Sequence, residues 1–164
     1  MKNTKKLALC AVLIALALAL SYTERFLPLQ LLIPLPGIKL GLANIVTLAA
    51  LYLLGARWSF MILVCRCLLG AMFGGGFTGL LFSLTGGLLA MGTMALCRKS
   101  SLFSIYGVSV LGAAAHNVGQ IGASMVLMNS VYIGAYLPYL LLVAVVTGLL
   151  TGTACAAVLK HTKN

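Results

Sequence analysis

Pro34-Leu35-Pro36-Gly37-Ile38-Lys39-Leu40-Gly41-Leu42-Ala43-Asn44 decides how the rest of the chain is read. Proline fixes φ and removes an amide donor, so the segment predicts a rigid loop ending at Gly37 and a helix from about Ile38. That helix is apolar except for Lys39 at its start and Asn44 about one turn later. A polar element therefore stands at the mouth of an otherwise apolar protein.

Outward from this stretch, composition sets the class. The 164 residues are 62% hydrophobic and 7% charged, and Glu24 is the single acidic residue; soluble domains carry roughly a quarter charged residues. The chain reads as an all-α, polytopic membrane protein, one domain over residues 1–164 within a lipid bilayer, and the expected location is the cell (cytoplasmic) membrane. A net charge of +10 invites a nucleic-acid reading. The cations fall between apolar runs, however, with no basic face and no stacking aromatics beside it, which excludes nucleic acid as a partner. Cys10, Cys65, Cys67, Cys97 and Cys155 include no Cys-x-x-Cys pair. Cys65 and Cys67 would point to nearly opposite helix faces, so plain thiols are expected rather than a metal or redox site.

Apolar runs predict six helices over about 7–23, 38–54, 59–73, 78–96, 108–128 and 136–159. The first follows Met1–Lys6 and resembles a signal peptide, but no Ala-x-Ala-like cleavage site follows, so it reads as retained. On it Ala11, Ala15 and Ala19 form a small-residue stripe, the kind of surface another helix approaches closely. Residues 24–38 are too apolar to hang in water and are expected to form an outer lid. Lys2, Lys5, Lys6, Arg57, Arg98, Lys99, Lys160 and Lys163 fall on one side, eight of eleven cations, against Arg25 and Lys39 on the other. The bias places both termini in the cytoplasm.

The chemistry left is recognition. With no aspartate and one glutamate there is no carboxylate pair for acid–base work and no magnesium cluster, so neither catalytic residues, a metal nor a cofactor is expected. No Gly-Lys-[Ser/Thr] makes a phosphate loop. Arg66, in the middle of its helix, carries a cost of at least ~2.5 kcal/mol in lipid and should face protein or a cavity. His116, Asn117 and Gln120 are spaced to share a helix face. Glu24, Lys39, Asn44, Arg66, His116, Asn117 and Gln120 are the candidate site residues; each also suits ordinary interhelical hydrogen bonding, as does Thr47. Gly148 and Gly152 form a Gly-x-x-x-Gly pair.

Ser21-Tyr22-Thr23-Glu24, Pro36-Gly37-Ile38-Lys39-Leu40-Gly41-Leu42-Ala43-Asn44, Gly107-Val108-Ser109, Gly112-Ala113, His116-Asn117-Val118-Gly119-Gln120 and Tyr136-Leu137-Pro138 together resemble the small membrane family labelled heptaprenyl diphosphate synthase component I, also called Gx transporters. That family is grouped with the substrate-binding S components of energy-coupling factor (ECF) vitamin transporters. The resemblance implies a six-helix bundle of that type, a first outer loop that lids the substrate, and an alanine stripe that docks on a coupling transmembrane subunit served by ATPase subunits. The three cations Arg25, Lys39 and Arg66 tilt the expected solute towards a small anion bearing phosphate or carboxylate, and the resemblance towards one of vitamin or cofactor size, captured from outside. Prenyl chain elongation needs aspartate-rich motifs, which are missing, so the alternative to a carrier is a non-catalytic membrane scaffold or accessory for a separate soluble prenyl synthase or for a membrane redox complex.

Overall fold

The computed structural model describes residues 3–26 and 41–163, and within them the chain is helical with no strand. Six α-helices follow in order: α1 (Asn3–Thr23), α2 (Asn44–Leu54), α3 (Ala56–Gly70), α4 (Gly76–Lys99), α5 (Ile105–Leu127) and α6 (Leu137–Lys163). A 3-10 turn, Glu24–Phe26, extends α1; a π turn, Ala71–Gly75, joins α3 to α4; and a second 3-10 turn, Val131–Tyr136, leads into α6. Among the described residues, four stretches are long and apolar enough to cross a membrane: Asn3–Thr23, Ala56–Lys99, Ile105–Leu127 and Val131–Thr162. The chain is thus a multi-pass membrane protein. α2, with 11 residues, extends only roughly 16 Å at 1.5 Å per residue.

The short helix is the centre of the bundle. Its one side packs Val46 and Ala50 against Cys10, Leu13 and Ala17 of α1 and Ile62 of α3. The other packs Leu48, Ala49 and Leu51 against Ala90 and Met94 of α4, Val108 of α5 and Cys155 of α6. A helix covered on all sides by protein is apolar all round, which explains the sequence of α2. In lipid, exchanging a Leu–lipid contact for a Leu–Leu contact gains little, so helices associate through close packing and interhelical hydrogen bonds. Glycine makes the packing close here. A Cβ at Gly148 would stand 2.5 Å from Val110 Cα, and one at Gly119 would stand 2.8 Å from Gly86 Cα. The Gly148/Gly152 pair is therefore the contact of α6 on α5, reinforced by Ser109 and Thr151, whose hydroxyls meet at 2.6 Å. On α2, the Thr47 carbonyl accepts from Ser59 Oγ at 2.9 Å.

One boundary differs from the sequence reading. The second helix does not extend through Gly41–Ala43: Gly41 takes φ +79°, a left-handed conformation, and α2 starts at Asn44. The third helix passes from α into a π turn after Gly70 and loses helical geometry at Phe73, near the expected end, where Gly74 takes φ 93°. α4 folds back there, so Leu63 of α3 meets Gly87 of α4. The predicted lid falls mostly on residues 27–38, and Lys39 on residue 39; both lie outside the described residues. Arg98, at the end of α4, donates to the Leu51 carbonyl and lies 4.8 Å over the Tyr52 ring, closing the C-terminal turn of α2 with a cation.

Candidate functional site

Four helices bring their polar groups to one place, the start of α2. Glu24 is buried just past the end of α1, and its Oε1 accepts from the Leu42 N–H. This pins the two ends of the intervening segment together across 18 positions in sequence. The turn closes on itself, with Asn44 N–H donating to the Gly41 carbonyl at 2.8 Å and Ile45 N–H to that of Leu42 at 3.0 Å. The Asn44 side chain is thereby fixed against Gly41, where a Cβ would stand 2.9 Å from its Nδ2.

Arg66 reaches this point from α3. It is 6% exposed, and its Nη2 donates to Asn44 Oδ1 at 3.5 Å. Its Nε finds no partner among the described residues. The guanidinium lies over Gly87 of α4, where a Cβ would stand 3.3 Å from Nη2, so a larger residue would crowd it. His116 comes from α5 and is held between two glycines. A Cβ at Gly86 would stand 2.9 Å from its ring and from its backbone carbonyl, and one at Gly41 would stand 3.1 Å from Cδ2. Asn44, Arg66 and His116 are thus buried near the start of α2, with Arg66 bonded to Asn44 and with Gly41, Gly86 and Gly87 leaving room for the three side chains.

The remaining candidates are distributed differently. Asn117 lies one residue on from His116, about 100° round the helix, and its Nδ2 donates to the Leu140 carbonyl of α6 at 2.8 Å. That amide ties α5 to α6. Gln120 is fully buried one turn beyond His116, and its backbone carbonyl accepts from Ser124 Oγ. Ala11, Ala15 and Ala19 stand on the exposed side of α1, opposite its buried stripe of Cys10, Leu13 and Ala17.

A half-open cavity of about 450 Å³ adjoins Arg66, within the roughly 300–1,000 Å³ typical of small-molecule sites. Arg66 forms part of its wall, together with Ala15, Leu18 and Ala19 of α1, Gly70 and Phe73 at the α3–α4 turn, and Ser83 of α4. Ser83, Ser21 and Tyr22 join the site here without having been among the candidate site residues. The available signal was the run of small residues Ser83, Thr85, Gly86 and Gly87 on one helix, which marks where other side chains approach closely. Chemically the arrangement offers one fixed cation, two or three hydroxyls and an apolar wall.

Residues 13–158 match the family of heptaprenyl diphosphate synthase component I. The chain belongs to that family. Comparisons with curated proteins and with solved structures give no match. The family match covers the last three turns of α1 through most of α6, and so takes in Glu24, Asn44, Arg66 and His116 together.

Proposed function

We propose that this component I family member is a membrane subunit that captures a small anionic solute for transport, in the manner of an S component of an energy-coupling factor transporter. One observation carries the reading. Arg66 is buried with a single, long hydrogen bond to a neutral amide and makes no ion pair among the described residues. The chain has one acidic side chain, Glu24, whose carboxylate accepts the Leu42 N–H. Burying a guanidinium without an ion pair costs several kcal/mol, and a cavity opens beside it, an arrangement that suits an anionic ligand as its counter-charge. In this reading six helices span the cell membrane with both termini in the cytoplasm. The segment 24–38 covers the solute from outside, Lys39 adds a second cation, and Ala11, Ala15 and Ala19 dock a coupling subunit that carries ATPases. The chain itself performs no catalysis.

A second reading rests on the family match. The family description names one component of a prenyl diphosphate synthase, which fits a membrane accessory that recruits a separate soluble synthase through its cytoplasmic cations, Lys2–Lys6, Arg98-Lys99 and Lys160–Lys163. The two readings separate on purification from the native membrane followed by mass spectrometry of what co-purifies. A carrier retains a stoichiometric small anion, lost in Arg66→Gln and Asn44→Ala, together with coupling and ATPase subunits. A scaffold retains a soluble prenyl synthase equally in wild type and both variants, with no small molecule.

A further inference from the structure

The cavity beside Arg66 has a length and two unlike ends. α1 and α4 each pack on α3 but make no contact with one another, so the cavity is a slot with α1 and α4 as sides and α3 as floor. α1 runs in the same direction as α3, with Leu13 in one cluster with Ile62 and Leu18 at Gly70. Each element enters the wall twice: α1 at Ala15 and Tyr22, α3 and its turn at Arg66 and Phe73, and the turn and α4 at Gly75 and Ser83. The two levels are about two turns apart, roughly 10 Å at 1.5 Å per residue. Arg66 and Ser83 make the inner end and are buried, whereas Tyr22 and Phe73 make the other end and are exposed. Arg66 is the single cation of the wall, and its Nε has no partner among the described residues. At the far end, Tyr22 already meets Phe26 in a T-shaped contact, 5.7 Å between ring centres at 72°. Between the ends both sides are thin: Ala15 and Ala19 face the slot from α1, Gly79 and Ser83 from α4.

We infer that the ligand is a planar aromatic monocarboxylate, its carboxylate on Arg66 beside Ser83 and its ring system lying in the slot towards Tyr22 and Phe73. This rests on the reading of Arg66 as an anion site and goes further by assigning the charge and the body of the ligand. One guanidinium balances one negative charge. A phosphate monoester carries about −1.5 to −2 at neutral pH, and its second charge would stand in an apolar cavity with no cation in the wall. The thin sides suit a flat, rigid body, which also loses less freedom on binding than a flexible chain. A ring that reaches Tyr22 and Phe73 extends the aromatic cluster, and each aromatic pair adds about 0.5–1.5 kcal/mol beyond the area it buries.

The test uses the full chain in detergent, with 2-naphthoate as the probe and 2-naphthyl phosphate, acetate and 2-naphthol as competitors. Thermal unfolding reports on the folding of each variant. Wild type is expected to bind 2-naphthoate, and Arg66→Gln to weaken it roughly 10- to 100-fold, the range of a lost charge-assisted hydrogen bond. Phe73→Leu, which keeps an apolar side chain at an exposed position, is expected to unfold at the wild-type temperature and to weaken the probe about two- to tenfold, the range of one aromatic pair. None of the three competitors should displace the probe at equal concentration. If acetate competes as well as 2-naphthoate and Phe73→Leu binds as wild type does, the ring assignment is overturned while the anion site at Arg66 stands. If 2-naphthyl phosphate binds as tightly as 2-naphthoate or more so, the single charge is overturned and the anion site again stands. If 2-naphthol binds as tightly as 2-naphthoate and Arg66→Gln is without effect, or if wild type binds none of the four, the anion reading fails with it.

Discussion

Arg66 on α3 and Asn44 at the start of α2 meet across 22 positions of sequence, Nη2 to Oδ1 at 3.5 Å, and this is the one hydrogen bond the guanidinium makes among the described residues. The contact holds a cation at the junction between the polar start of α2 and an apolar cavity. Replacing Asn44 by Ala removes it and leaves a buried charge with no partner among the described residues. We expect a loss of about 1–3 kcal/mol in unfolding free energy, read as a lower melting temperature in detergent, and partly restored by an anion that binds.

Gly86 is the bed of His116, and its replacement distinguishes packing from propensity. In Gly86→Ala the new methyl would stand 2.9 Å from the His116 carbonyl oxygen, a backbone atom that cannot turn aside. Helix propensity alone favours Ala by roughly 1 kcal/mol, yet overpacking should outweigh it and destabilise by about 1–3 kcal/mol. Gly92→Ala on the same helix meets nothing within 4 Å and should be neutral or stabilising. Paired thermal melts of the two variants check the sign.

At the other side of the bundle, Gly148→Ala should cost more than Gly152→Ala. The first methyl would stand 2.5 Å from Val110 Cα, the second 3.2 Å from side-chain atoms of Ser109 and Tyr106. Backbone against backbone can relieve the clash only by separating α5 from α6, so about 2 kcal/mol or more is expected for Gly148 and under about 1 for Gly152. Thermal melts again give the order.

Glu24 pins Leu42, and through it the turn that places Asn44. In Glu24→Ala the Leu42 amide loses its acceptor. Hydrogen exchange at that amide should accelerate by roughly 10-fold or more, the equivalent of a hydrogen bond worth about 1.4 kcal/mol, with amides in the middle of α5 unchanged.

Much of this is legible in the sequence. One acidic residue in a strongly apolar chain implies membrane helices, and the depth of Arg66 in its run implies a partner or a cavity. The Gly148/Gly152 spacing implies a close helix contact, and it is one. Other features were hidden for physical reasons. Nothing in Gly41-Leu42-Ala43 separates a helical glycine from one at φ +79°, since both fit an apolar run, so the sequence pattern alone puts the start of α2 too early. His116 and Asn117 fall close enough on a helical wheel to suggest one face. They diverge because α5 is covered on two sides, by α4 and by α6, and each neighbour takes one of them. The alanine stripe of α1 was visible, but which side of α1 the bundle would cover depended on Cys10, Leu13 and Ala17 meeting α2 and α3. The cavity was beyond sequence altogether, because it is made by the gap between α1 and α4, and a gap leaves no pattern in either helix.

The central claim is that Arg66 awaits an anion that this chain does not supply, and Asn44→Asp tests it most directly. The substitution keeps the shape of the side chain and puts a carboxylate where an amide oxygen already receives Nη2. Binding of 2-naphthoate and of 2-naphthyl phosphate to this variant, measured beside wild type in detergent, gives the answer. The account predicts a higher melting temperature without ligand and a loss of at least about tenfold in affinity for whichever anion wild type binds, because the site now carries its own counter-charge. Unchanged anion affinity in a folded Asn44→Asp protein would contradict it, and would show that Arg66 serves the bundle and not a ligand.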